Sequence, residues 1–149
     1  MKKRIISLIA TGLYTGYFPL MPASAGSALA VFILVLVKPT LWYQQLLMIL
    51  PGLAVAVWSA GVVEGYVGTK DPPRVVVDEI VGIWISVAFL PINFNILLAG
   101  FLIFRVLDII KPFPARRLAA LPGGWGIVVD DVVAAIYTNL IIHAWLGFA

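Results

Sequence analysis

Long apolar stretches separated by short polar loops dominate the chain. The apolar stretches cover residues 25–37, 41–63, 75–90, 94–110 and 127–146. A membrane-spanning helix needs about 20 apolar residues, so the first stretch is short, and Pro51 is expected to kink the second. The pattern predicts an all-α integral membrane protein, a compact bundle of about four to five transmembrane helices, some of them short or kinked.

The N-terminal segment allows two interpretations. Basic residues 2–4 precede a short apolar stretch at 5–13, and residues 23–25 have the small-x-small form of a signal-peptidase site. A cleaved signal peptide is one interpretation. Glycines, Pro19 and Pro22 interrupt the apolar pattern, which favours an ordered, glycine-rich loop leading into the first full helix, with part of 5–13 supplementing that helix.

Composition supports the membrane class and excludes several kinds of chemistry. Hydrophobic residues make up 62% of the 149 residues and charged residues only 11%, whereas soluble domains have about a quarter charged. There are no cysteines, which excludes disulfides, thiol nucleophiles and cysteine-ligated metals. The net charge of +3 is mild, and no basic–aromatic pattern points to nucleic acid. The length fits one domain over residues 1–149.

The basic residues predict an orientation. Apart from the N-terminus, they lie mostly in the loops at 64–74 and 113–126, while the opposite side has only Lys38. Cytoplasmic loops carry the excess of Lys and Arg in membrane proteins. The sequence therefore predicts a multi-pass protein whose polar loops face the cytoplasm.

Acidic residues gather at the ends of the predicted helices on that same face. Five of the seven acids belong to this group: Asp78, Glu79, Asp108, Asp130 and Asp131. Carboxylates at such positions are costly to desolvate and usually face a bundle interior. Adjacent carboxylates repel each other unless a divalent cation lies between them, and magnesium prefers oxygen ligands together with substrate phosphates. The residues alone thus predict metal-assisted phosphate chemistry at a membrane surface.

Two further features fit a phosphate site, each with an alternative. Arg105, Asp108 and Lys111 are spaced by three along one helix face. Arg105 could form a stabilising ion pair with Asp108, or Arg105 and Lys111 could bind phosphate, and both can hold in turn. Glycines at 123–126 lead into a helix whose first turn is predicted to carry Asp130. They could offer N–H groups to an anion or form a flexible loop.

Three long segments, in order, carry a resemblance to a known family. Residues 76–84, 104–114 and 123–134 resemble the V-x-D-E-x-x-G-x-W, F-R-x-x-D-x-x-K-P-x-P and G-G-x-G-I-x-x-D-D-x-x-A segments of the phosphatidylglycerophosphatase A family. The family's N-terminal loop, G-x-x-P-x-x-P-G-T-x-G-S, corresponds to residues 16–27. Ala23 and Ser24 replace its Gly-Thr pair, and alanine adopts positive φ less readily than glycine.

The resemblance implies a single transmembrane phosphatase domain in the bacterial inner membrane, with its active site on the cytoplasmic face. It implies magnesium-dependent hydrolysis of phosphatidylglycerophosphate to phosphatidylglycerol and phosphate in glycerophospholipid biosynthesis, by attack of water or through an aspartyl-phosphate. The partners are then the lipid substrate and membrane lipids, and an oligomer is compatible with the sequence. The expected catalytic residues are Asp78, Glu79, Asp108 and Asp131; the expected substrate-binding residues are Arg105, Lys111, Ser24, Ser27 and Gly124; the expected metal ligands are Glu79, Asp108, Asp130 and Asp131.

Three other functions would require different sequence features. A phospho-alcohol transferase would carry a D-G-x-x-A-R pattern, which the sequence lacks. A phosphatase with a histidine nucleophile is disfavoured because the sole histidine, His143, lies near the other end of the last span. An ion-coupled transporter would use the clustered carboxylates as a cation site, and its acids should then lie near the middle of the membrane.

Overall fold

The fold is all-helical in the computed structural model, which describes residues 2–148. The helices are α1 (Lys2–Ala10), α2 (Pro22–Val37), α3 (Trp42–Val67), α4 (Val77–Ser86), α5 (Phe94–Ile110), α6 (Ala115–Leu118) and α7 (Gly124–Phe148), with a 3-10 turn at Thr15–Tyr17 between α1 and α2. By length and composition, α3 and α7 are long and apolar enough to cross a membrane, and α2 is a shorter apolar helix.

The predicted apolar stretches map onto α2, α3, α4, α5 and α7, with one marked difference. The stretch at 94–110 coincides with α5, and Pro51 lies inside the continuous helix α3. The stretch at 75–90 is not helical throughout, because α4 covers only Val77–Ser86. The chain then turns through Phe89, whose φ is 61°. The ten residues of α4 rise only about 15 Å, so α4 is too short to cross a membrane as a continuous helix.

Side chains from α3 and α7 satisfy the polar backbone groups exposed where α4 ends. The amide oxygen of Gln45 accepts a hydrogen bond from the Phe89 N–H at 2.5 Å, and its nitrogen donates to the Pro39 carbonyl at 2.9 Å. Unpaired backbone groups away from water cost several kcal/mol, roughly, in a membrane. Gln45 therefore stabilises the turn that ends α4.

Asn139 caps the same end of α4 from the opposite side. Its side-chain nitrogen donates to the carbonyls of Ile85, Ser86 and Ala88 at 3.2, 3.2 and 2.9 Å. These carbonyls lie in the last turn of α4 and just beyond it, where intrahelical donors run out, although the Ile85 carbonyl also accepts from the Ala88 N–H at 3.1 Å. Asn139 therefore ties α4 to α7.

The N-terminal segment contains the predicted loop, at residues 11–21, and before it a helix that the sequence did not predict. Residues 2–10 form α1, which packs against α3, with the Lys3 ammonium 5.5 Å from the centre of the Tyr66 ring and the Ser7 and Tyr66 hydroxyls hydrogen-bonded. The expectation that part of 5–13 extends the first span was wrong. Apolar and polar residues alternate here with helical period, so the segment forms a separate amphipathic helix.

Helix α4 is the centre of the bundle, and it contacts α2, α3, α5 and α7. Its residues from 77 to 83 are all buried. A Cβ at Gly82 would lie 2.5 Å from the ring of Phe104, so glycine brings α4 close to α5. On the other side, Gly52 of α3 approaches Trp84 and Val81. Packing of α4 against four other helices therefore fixes the position of the acids in its first turn.

Candidate active site

The N-terminal segment fixes the chain just before α4. The Val76 N–H donates to the carbonyl of Ala10 at 2.9 Å. A Cβ at Gly16 would overlap the carbonyl oxygen of Arg74, and a Cβ at Gly26 would lie 2.7 Å from the Cβ of Val76. Close approach of three backbone segments therefore sets where α4 begins, and the glycines permit that approach.

Two acids from α4 meet one acid from α7. Asp78 and Glu79 occupy the first turn of α4, where the helix dipole favours negative charge. One ligand oxygen from each of Asp78, Glu79 and Asp131 lies within 4.8 Å of the other two. These side chains are 6%, 8% and 4% exposed. We call these three residues the carboxylate triad.

The carboxylate triad has the chemistry of a cation site. Oδ1 of Asp78, Oε2 of Glu79 and Oδ2 of Asp131 are buried without a hydrogen-bond partner among the described residues. Three buried carboxylates with free oxygens repel one another and are costly to leave unpaired. A hard divalent cation bound by oxygen ligands would neutralise them. The residues present therefore fit a divalent metal ion.

Arg105 lies between the triad and Asp108. Its Nη1 donates to Oδ2 of Asp108 at 2.8 Å and is 4.0 Å from Oε1 of Glu79. The ion pair considered from the sequence is present. Because Arg105 also approaches Glu79, its guanidinium borders the carboxylate triad as well.

Lys111 and Asp130 form the second ion pair at the site. Lys111 follows the last residue of α5 in a left-handed conformation, with φ of 50°. Its ammonium donates to Oδ2 of Asp130, while Oδ1 of Asp130 is buried without a partner in residues 2–148. The pair links the end of α5 to α7. A lysine adopts positive φ at a cost of roughly 1 kcal/mol or more, which contacts of this kind offset.

The grouping differs in one respect from the ligand set expected from the sequence. Asp78, expected only as a catalytic acid, belongs to the carboxylate triad together with Glu79 and Asp131. Asp108 and Asp130, both expected as ligands, form ion pairs with Arg105 and Lys111, and their ligation of a metal stays a prediction. Sequence spacing could not predict this grouping. Asp130 and Asp131, for example, are adjacent on one helix, and which partner each one meets depends on the helix that it faces.

Helix α7 begins earlier than the sequence predicts. It starts at Gly124, so Asp130 is not in its first turn but lies about 9 Å along the helix. A Cβ at Gly124 would overlap the carbonyl of Val57, and a Cβ at Gly61 would lie 2.9 Å from the Gly124 nitrogen. The close contact between α7 and α3 is a sufficient reason for a glycine at position 124. Phosphate binding by Gly124 stays a prediction.

The two serines of the N-terminal motif lie at the start of α2. Ser27 is fully buried, and its hydroxyl has no hydrogen-bond partner among the described residues, while Ser24 is half-buried. Helix α2 packs along α4, the helix that carries two triad acids. The structure therefore places Ser27 beside the central helix, and substrate binding by either serine stays a prediction.

One further acid, outside the group predicted from the sequence, lies near the site. Asp71 lies in the loop before α4 with φ of 49°. Desolvation raises the pKa of Asp71, and the Lys111 ammonium opposes that rise. The loop thus brings a further carboxylate within electrostatic range of the Lys111–Asp130 pair. Its sequence context, next to two prolines, gave no signal of this proximity.

Comparison with known proteins places this arrangement in a family. The phosphatidylglycerophosphatase A family matches residues 8–146, which include every acid described above. The chain belongs to the phosphatidylglycerophosphatase A family. The resemblance inferred from the three sequence segments is therefore confirmed.

The relatives carry two different names. A putative phosphatidylinositol-3-phosphatase of Bacteroides thetaiotaomicron is 37% identical over 91% of this chain and 89% of its own length. The phosphatidylglycerophosphatase A of Escherichia coli is 33% identical over 91% of this chain and 80% of its own length. That of Haemophilus influenzae is 43% identical over 52% of this chain and 48% of its own length.

No solved structure matches the chain. The relatives are named as phosphatases, and none of these comparisons supports the ion-coupled transporter. Phosphatase relatives together with two helices long enough to cross a membrane indicate a membrane-associated lipid phosphatase.

Proposed function

We propose that this protein is a magnesium-dependent lipid phosphatase that hydrolyses phosphatidylglycerophosphate to phosphatidylglycerol and inorganic phosphate. The observation that carries the proposal is the carboxylate triad of Asp78, Glu79 and Asp131, bordered by Arg105, within the part of the chain that the family match covers. Buried acids beside two basic side chains are the groups that phosphate hydrolysis requires.

The carboxylate triad would hold the metal ion. Its three unpartnered oxygens supply negative charge and hard ligands, and the acids lie on two helices that pack against each other. When bound, magnesium supplies polarisation of phosphoryl oxygens and orientation of the attacking water. Ligation by Asp108 and Asp130 stays a prediction, because both acids pair with basic residues.

Arg105 and Lys111 would bind the phosphoryl group. Each is now paired with a carboxylate, so an incoming phosphate would share or replace that partner. Arg105 can offer two parallel N–H donors to two phosphoryl oxygens, whereas Lys111 offers a point charge. Both stabilise the negative charge that gathers on the equatorial oxygens during transfer.

The reaction breaks the bond between phosphorus and the oxygen of the lipid head group. Water attacks phosphorus, one carboxylate takes a proton from that water, and the departing alkoxide is protonated to give the lipid alcohol. The base must be a carboxylate within hydrogen-bonding distance of the attacking water. Asp78 and Asp131 are the candidates, because Glu79 already lies beside Arg105.

The bundle would lie in the bacterial inner membrane with about four to five crossings, as a single domain with the site on the cytoplasmic face. Trp58 and Trp125, which are 52% and 60% exposed, fit one membrane interface, and Trp42 and Tyr43 at the start of α3 fit the other. Between Trp42 and Trp58 the rise is about 24 Å, close to the hydrocarbon thickness. The last turns of α3 and the basic helix α1 would then extend into the cytoplasm.

Phosphatidylinositol 3-phosphate is the second substrate to compare, because the Bacteroides thetaiotaomicron relative is named a putative phosphatidylinositol-3-phosphatase. Phosphate release from phosphatidylglycerophosphate and from phosphatidylinositol 3-phosphate would be measured with the purified protein under identical micelle conditions. We expect a higher kcat/KM for phosphatidylglycerophosphate. A higher value for the inositol lipid would reassign the head group while keeping the phosphatase. Absence of release from either lipid would contradict the proposed function.

A further inference from the structure

Arg74 is a cation near the site that has no carboxylate partner among the residues that the structure describes. Among residues 2–148, the ion pairs within 4.0 Å involve Arg105 and Lys111. The Arg74 guanidinium instead lies over the ring of Tyr17, 4.7 Å from its centre. Stacking on a ring orients a guanidinium and leaves its N–H donors and its charge available. Arg74 is therefore an oriented donor for an anion.

The backbone of Arg74 is fixed relative to the carboxylate triad. Its carbonyl oxygen lies against Gly16, where any side chain would overlap it. Two residues later, Val76 is hydrogen-bonded to Ala10 at 2.9 Å. Arg74 is four positions before Asp78 in the chain, so their Cα atoms are at most about 14 Å apart. The cation is thus held within about 14 Å of the start of the site, measured between Cα atoms.

The segment that holds Arg74 has the character of a membrane interface. The loop between α1 and α2 exposes six large apolar side chains: Leu13, Tyr14, Tyr17, Phe18, Leu20 and Met21. Aromatic side chains beside cations are enriched at the level of lipid head groups. The loop continues directly into the apolar helix α2, which keeps it near the bilayer. Arg74 would therefore meet the phosphate groups of lipids.

We propose that Arg74, oriented by Tyr17, binds the phosphodiester of the lipid substrate while the phosphomonoester reaches the carboxylate triad. This inference rests on the proposed function. Phosphatidylglycerophosphate and phosphatidylinositol 3-phosphate both carry a phosphodiester between diacylglycerol and a polyol, besides the phosphomonoester that is removed. Arg105 and Lys111 serve the phosphomonoester, so the second phosphate requires a separate cation. A guanidinium can bind the two free oxygens of a phosphodiester in bidentate fashion.

Arg117 provides a matched control. Its guanidinium also lies over an exposed aromatic ring, 5.0 Å from the centre of Phe113, and it also lacks a carboxylate partner among the described residues. It belongs to α6 rather than to the segment that enters α4. Arg74→Gln and Arg117→Gln therefore each remove one positive charge that lies over an aromatic ring, but only Arg74 lies in the segment that enters α4.

The test compares a lipid that has the phosphodiester with one that lacks it. KM and kcat would be measured for phosphatidylglycerophosphate in mixed micelles. The affinity for phosphatidic acid would be measured in the same micelles, from its KM if it is a substrate or from its inhibition constant if it is a competitive inhibitor. Phosphatidic acid carries its phosphomonoester directly on diacylglycerol. We expect Arg74→Gln to raise KM for phosphatidylglycerophosphate about tenfold, with kcat and the affinity for phosphatidic acid nearly unchanged. Tyr17→Leu should raise KM less, and Arg117→Gln should not raise it.

Three results would overturn the inference: an unchanged KM in Arg74→Gln, an equal increase in Arg117→Gln, or an equal loss of affinity for phosphatidic acid. Equilibrium binding of phosphatidylglycerol, which keeps the phosphodiester and needs no turnover, separates this inference from the proposed function. If the wild type hydrolyses no lipid but Arg74→Gln alone loses phosphatidylglycerol binding, the proposed function fails and the anion site stands. Equal binding by wild type and Arg74→Gln would remove the site.

Discussion

The ammonium of Lys111 donates a hydrogen bond to Oδ2 of Asp130, which joins the end of α5 to α7 across 19 residues of sequence. Asp130 is 4% exposed, so its charge depends on this partner. Asp131, the next residue, belongs to the carboxylate triad instead. Two adjacent acids of α7 thus have different partners.

Removing Lys111 should destabilise the protein through Asp130. Lys111→Met leaves a buried carboxylate without its cation, and we expect a loss of about 1–3 kcal/mol in the free energy of unfolding. Thermal unfolding in detergent would measure it. The double variant Lys111→Met/Asp130→Asn removes both charges and should recover most of the loss. If Lys111→Met alone is as stable as wild type, the pair does not hold the helices together.

Asn139 should be essential for the short central helix. Asn139→Leu removes the side-chain NH2 group that donates to the carbonyls of Ile85, Ser86 and Ala88, and we expect destabilisation by about 2–4 kcal/mol. Asn95→Leu, an exposed position near the start of α5, is the control and should change stability by less than about 0.5 kcal/mol. Equal thermal stability of the two variants would contradict the capping role.

Two glycines of the bundle should respond in opposite ways to alanine. Gly124→Ala places a Cβ against the Val57 carbonyl and must push α7 away from α3, so stability and activity should both fall. Gly65→Ala, inside α3 with open space around it, should be neutral or stabilising by up to about 1 kcal/mol because alanine favours helices. Unfolding curves and phosphatase rates on both variants check this. Tolerance of Gly124→Ala would show that the α3–α7 contact is adjustable.

The apolar pattern was enough to predict most of the fold. Residues 94–110 match α5 because apolar residues end abruptly at Lys111 and begin after a capping Asn93. The end of α4 was not predictable in this way. Residues 87–90 are apolar, and their departure from the helix depends on Gln45 and Asn139, which are distant in sequence.

The site residues were predictable as a group but not in their pairing. Motif spacing identified the acids and the two basic residues, because ionisable groups are rare in so apolar a chain. Whether Asp130 or Asp131 faces α4 depends on the rotation of α7. That rotation is set by the packing of Gly124 against α3, which is a tertiary contact. The Arg74–Tyr17 contact is likewise tertiary and has no motif.

The proposed orientation can be tested with single cysteines, because the natural sequence contains none. Lys70→Cys lies in the loop between α3 and α4, and Thr40→Cys lies between α2 and α3; both positions are exposed. A maleimide reagent that does not cross membranes, applied to intact spheroplasts, should label Thr40→Cys but reach Lys70→Cys only after lysis. The reversed pattern would place the site on the outer face.

Phosphate release from phosphatidylglycerophosphate by purified wild type and Asp131→Asn, with magnesium and after chelation, tests the central claim most directly. We predict magnesium-dependent release by the wild type that stops on chelation and returns when magnesium is restored. Asp131→Asn should lower the rate by about 100-fold or more. In the absence of metal it should unfold at the same temperature as wild type or higher, because one of three mutually repelling carboxylates is gone. Full activity of the chelated wild type, or a wild-type rate in Asp131→Asn, would contradict the account.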